Sequence, residues 1–191
     1  GTQTAGLCVG GNRRLTPQGT TSPNLAPQNF FSGTEEYDGT SWTEVNDINT
    51  ARYQVASGMG RTTSDALCVT GLVAPNTHKD ETESWNGNVW AEVNDLNLAR
   101  FGGGGVGTQT SALFCGFNPG IATLDYDGSS FSVNPATPGL TTPAFGVASM
   151  SNSDNTNTAA LACGRGPTSG DNLFTTSMPR LCVYGRLLAP P

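Results

Sequence analysis

The chain has 191 residues, 36% of them hydrophobic, and a formal net charge of −6, so it is long enough to bury a core without disulfides or metals. Lys79 is its one lysine and the arginines are scattered, which leaves no basic face for nucleic acid. No apolar run approaches the roughly 18 residues of a membrane span.

Taken in order, the chain opens on Gly1–Gly11, a small apolar segment that reads as a strand closed by the doublet Gly10-Gly11. A connector of 22 residues, Asn12–Gly33, follows. It carries Arg13, Arg14, Gln18, Phe30 and Phe31. Next comes a hairpin, Thr34–Trp42, turning at Asp38-Gly39, a dipeptide that tolerates the positive φ of tight turns. Val45-Asn46-Asp47-Ile48-Asn49 then leads into Ala51–Ala56.

The pattern repeats from there. Ala51–Ala56 reads as an inner strand and Thr63–Gly71 as a second strand. A connector of 10 residues, Leu72–Glu81, contains His78 and Asp80, and the hairpin Thr82–Trp90 turns at Asn86-Gly87. The third unit has Ala99–Gly103 inside, Gly107–Gly116 second, a connector of 5 residues over Asn118–Ala122, and the hairpin Thr123–Phe131. The fourth has Pro143–Ala148, then Asn157–Gly164, a remnant at Leu173-Phe174, and a final inner-strand cassette at Pro179–Tyr184.

The aromatic pairs Tyr37/Trp42, Trp85/Trp90 and Tyr126/Phe131 step by 48 and then 41 residues, a period of propeller blades. The fold expected is therefore an all-β propeller of about four blades in one domain, 1–191, with units near 1–50, 51–98, 99–142 and 143–191. The strand near 180–185 is expected to complete the first blade in a velcro closure with the N-terminal strand. The aromatics are expected to pack between neighbouring blades. The five cysteines, Cys8, Cys68, Cys115, Cys163 and Cys182, sit in strand segments without close spacing and read as small buried hydrophobes.

These residues resemble the kelch repeats: a glycine after the second strand, an aromatic followed by Asp or Asn, a tryptophan a few residues on, and an Ala-Arg-aromatic step into the next unit. Gly-Thr-Gln-Thr, Tyr-Asp-Gly-Thr-Ser-Trp and Leu-Asn-Leu-Ala-Arg are similar to the kelch-like repeats of tail and virion proteins of environmental bacteriophages. The resemblance covers nearly the whole chain. Ala144 stands where Arg52 and Arg100 set the pattern, and the last unit lacks a Tyr-Asp-Gly hairpin. It implies a non-enzymatic binding or structural module at a virion surface or outside cells, whose partners are other virion proteins or a host-surface glycan, without nucleic acid or membrane, within a larger homo- or hetero-oligomeric assembly. The alternative is a kelch interaction module of a cellular protein, and a more distant one a glycan-active enzyme.

Catalytic chemistry has little to stand on. The copper oxidases among kelch propellers need two histidines, and this chain has one, so no cofactor is expected. No nucleophile elbow accompanies His78. Asp38, Asn86 and Asp127 are explained as turn formers rather than a sialidase-type Asp-box.

What varies between units is the connector, and binding residues gather on such loops. Arg13, Arg14, Gln18, Phe30, Phe31, His78 and Asp80 are therefore the expected binding residues, the arginines for an anionic group and the amides and aromatics for sugar or protein. Asp47, Asn49, Asp95 and Asn97 offer a weaker calcium alternative, with too few carboxylates for tight binding. The favoured role for these segments is to shape the link into the next unit, with Asp47 and Asp95 facing Arg52 and Arg100.

Overall fold

The structure, a computed structural model, describes residues 4–13, 29–56, 62–75, 77–118, 120–134, 148–151, 159–163 and 182–185. Arg14, Gln18 and the segments Pro143–Val147 and Leu173-Phe174, all singled out above, lie outside them. The described residues form strands and no helix.

In chain order the strands are β1 (Gly6–Arg13), β2 (Asn29–Tyr37), β3 (Trp42–Val45), β4 (Ala66–Val73), β5 (Thr77–Trp85), β6 (Trp90–Val93), β7 (Gly104–Thr108), β8 (Ser111–Cys115), β9 (Leu124–Tyr126), β10 (Phe131–Val133), β11 (Ala148–Ser151), β12 (Ala159–Cys163) and β13 (Cys182–Gly185). They pair antiparallel into four sheets: β1-β2-β3, β4-β5-β6, β7-β8-β9-β10 and β11-β12-β13. Each of the first three ends in a hairpin that pairs an aromatic with an aromatic, Tyr37 with Trp42, Trp85 with Trp90 and Tyr126 with Phe131. The ring centroids lie 5.1, 5.2 and 4.6 Å apart.

Asp38, Asn86 and Asp127 set these turns. Each side-chain Oδ1 accepts the N–H groups two and three residues on, at 2.7–2.9 Å, the Asx geometry that lets a short loop reverse the chain. Hydrogen bonds from Ser41 and Thr40 hold the Asp38 carboxyl below its ordinary value, as those from Ser130 and Ser129 do for Asp127.

Successive sheets meet through two apolar cores. Ala66, Cys68, Trp85 and Trp90 of the second sheet bury against Ile48, Leu7, Val9 and Val45 of the first unit. Leu67, Val69 and Leu96 of the second unit meet Ala112, Phe114, Leu124, Tyr126 and Phe131 of the third. Alternation along β4 does this: odd residues turn toward one neighbour and even residues toward the other. The hydrogen bonds at and beside the two junctions also repeat. Ile48 N–H donates to Ser32 O at 3.0 Å and Leu96 N–H to Asp80 O at 3.0 Å. Arg52 N–H donates to Phe31 O and Arg100 N–H to Lys79 O. Asn46 Nδ2 donates to the turn carbonyl of Asn88 and Asn94 Nδ2 to that of Ser129.

The structure corrects four expectations. The strand at Cys182–Gly185 does not join the N-terminal strand; it pairs with β12. There it takes the place that β2, β5 and β9 take beside β1, β4 and β8, and the nearer edge along the chain costs less loop-closure entropy. The glycines of Gly10-Gly11 and Gly71 do not close the second strands. They sit inside β1 and β4 at a register shift between Val9 and Gly11 and between Val69 and Gly71, a bulge that Gly11 (φ 123°) and Gly71 (φ 124°) accommodate. The turn before β8 falls at Gln109-Thr110, so Gly107 belongs to the inner strand β7. Cys68 and Cys115 are buried, but Cys8 is exposed. It lies on the face of the first sheet away from the second, which among the described residues is left exposed: Trp42 is 53% exposed where its counterparts Trp90 and Phe131 are 6% and 8%.

Candidate binding site

Beyond the bulges, β1–β2 and β4–β5 continue as two-stranded arms, in which Asn12 pairs with Phe30, Arg13 with Asn29, and Leu72 with His78. His78 and Asp80 therefore stand in a strand and not in a loop. A polar strand end lacks the apolar alternation by which strands are recognised, which is why the connector looked longer than it is.

The arms bring Phe30 and His78 to equivalent places. Phe30 stacks on Tyr53 with centroids 4.8 Å apart and planes 8° from parallel. One repeat on, His78 meets Phe101 at 4.9 Å and 55°. Tyr53 is bridged to Leu72 of the second sheet and Phe101 to Asn118 beyond the third sheet's β8, so each ring pair spans a junction between units. Phe31, 43% exposed, is the next residue of β2 and by strand alternation turns to the opposite face. Of the expected binding residues, Phe30 and His78 thus belong to one recurring arrangement. The half-buried Asp80 contributes its carbonyl to the junction, and Arg13 closes the first arm.

No protein-family model and no curated protein matches this sequence. Its chemistry is read from geometry alone.

The electrostatics of the first junction centre on Arg52, a fully buried side chain. Its Nη2 donates to Glu83 Oε1, itself buried, and its Nη1 to Glu81 O at 3.0 Å. Asn49 N–H donates to Glu83 Oε2 at 2.8 Å, completing the carboxylate. The guanidinium thus meets Glu83, not Asp47. Asp47 accepts Ser32 Oγ at 2.9 Å, and Asp95 accepts Thr82 N–H at 3.1 Å. Their oxygens are spent shaping the links between units. Among the described residues no three His, Cys, Asp or Glu side chains gather as a group that would hold a metal.

Glu83 was the functional side chain that sequence reasoning missed. Its signal was its place beside Thr82 on a strand whose alternate residues face the preceding unit. Cys68 lies within the same environment, and burial pushes its thiol up to about 12, with Arg52 pulling it down and Glu83 opposing that pull. It is a neutral thiol at physiological pH, not a nucleophile. What remains accessible is a set of rings and polar strand ends suited to recognition by stacking and hydrogen bonding.

Proposed function

We propose that the four sheets are blades of a kelch-like β-propeller acting as a non-enzymatic binding component of a phage virion surface or tail, in contact with host glycan or another virion protein. The observation that carries this reading is the pair of ring contacts, Phe30/Tyr53 stacked and His78/Phe101 tilted, repeated on neighbouring arms, with the exposed Phe31 next to Phe30 in the chain. Rings held in pairs on strands offer apolar area at little entropic cost. The 48-residue recurrence of the junction hydrogen bonds supports the propeller part of the reading.

The test is a glycan-array and whole-cell binding screen of the chain, with Phe31→Ala and His78→Ala as variants. Each is expected to weaken binding about tenfold, as loss of an interface hot spot does. Full binding by both variants would overturn the assignment of the ring face. A folded chain that binds nothing in any format would point to an architectural role within the virion.

A further inference from the structure

Arg100 occupies the place in the second junction that Arg52 occupies in the first, yet the two side chains differ in what they meet. Its Nε, like that of Arg52, is sealed from solvent without a hydrogen-bond partner, and so is its Nη1, which in Arg52 donates to Glu81 O. That leaves Nη2, the nitrogen that in Arg52 reaches Glu83. The difference at the guanidinium traces to one side chain: Thr82-Glu83-Ser84-Trp85 of β5 becomes Thr123-Leu124-Asp125-Tyr126 at the equivalent place of the next repeat, in and beside β9, so Leu124 stands where the carboxylate would be. Arg100 is half-buried as a whole, but sealing two of its nitrogens without a partner is unfavourable for the charged form, and that desolvation lowers its pKa from the ordinary value.

The space is open. A cavity of about 50 Å³ is lined by Arg100, Asn97, Leu96, Leu124, Phe131 and Val133, among others, against roughly 10–15 Å³ for a single water on the same measure. The second half of the missing carboxylate's cradle is present too. Asn97 corresponds to Asn49, whose N–H holds Glu83 Oε2, and the Asn97 N–H has no partner among the described residues. The Phe117 ring, 5.6 Å from the guanidinium carbon, supports Arg100 from its flank. Gly120 (φ 130°) closes over it, since a Cβ there would stand 3.1 Å from Nη1.

We infer that this cavity is a binding site for a carboxylate on a short apolar stem, which takes the place that Glu83 fills in the preceding repeat. The two oxygens meet Arg100 Nη2 and Asn97 N–H, and the stem lies on Leu124, Phe131 and Val133. The inference does not rest on the ring face.

The chain is titrated with propionate and, in parallel, with N-acetylglutamate amide, followed by amide and arginine-side-chain NMR, with chloride at matched ionic strength as the reference. Shifts are expected at Arg100, Asn97 and Leu124 and not at Arg52. Tighter propionate would identify a free acid as the ligand, and tighter glutamate amide an acidic side chain of a partner protein. Arg100→Gln is expected to weaken binding about tenfold or more, the size of a lost charged hydrogen bond. Val133→Glu, at a position 63% exposed on the cavity rim, keeps the core intact and is expected to weaken binding by repulsion. Absence of saturable shifts for both ligands, or equal binding by both variants, would overturn the site.

Discussion

Arg52 and Arg100 stand 48 residues apart at matching junctions and are treated in opposite ways. The first is buried against Glu83 and further held by Glu81; the second faces Leu124 and an open cavity. The backbone around both is the same, down to the N–H that each arginine donates to the preceding arm. The repeat therefore conserves its hydrogen-bonded frame and varies the side chain that meets the guanidinium. A second contrast says the same in neutral form. Trp90 Nε1 donates to the buried Thr34 Oγ1 at 3.1 Å, whereas Phe131, which carries no donor, leaves the equivalent Thr82 Oγ1 without a partner.

The comparison breaks most severely if the first junction is made to copy the second. Glu83→Leu strands a fully buried Arg52, and equilibrium denaturation should register a loss of about 3–5 kcal/mol; a loss below about 1 kcal/mol would mean that Arg52 finds another partner. Trp90→Phe copies the neutral contrast and should cost about 1 kcal/mol for the hydrogen bond to Thr34, with no change in the second junction. The smallest effect is chemical. Alkylation followed by peptide mapping at pH 8 should modify the exposed Cys8 and spare the buried Cys68 until the chain unfolds. Early modification of Cys68 would contradict its burial beside Arg52.

Much of the frame was legible in the sequence because turns and paired aromatics announce themselves. Asp38-Gly39, Asn86-Gly87 and Asp127-Gly128 located the hairpins, and the Ala-Arg-aromatic step located the junctions. The arms were not legible, since Thr77 to Glu81 is polar on both faces and looks like a connector. The bulges were misread because a glycine at positive φ marks a strand's interior irregularity as well as its end. Glu83 was missed because adjacent acidic residues in the hairpins, such as Glu35-Glu36, look like solvated strand faces, and only the fold brings Arg52 to one of them. The strand at Cys182–Gly185 was assigned to the wrong edge because sequence similarity to an inner strand does not specify which sheet has an edge free.

The claim that the two junctions share one frame, with Leu124 standing in the place of Glu83, is tested most directly by Leu124→Glu and an NMR pH titration of the introduced carboxyl. If Arg100 and Asn97 receive it as Arg52 and Asn49 receive Glu83, its pKa falls below the ordinary glutamate value. A pKa raised by burial, or left at that of an exposed glutamate, would contradict the equivalence.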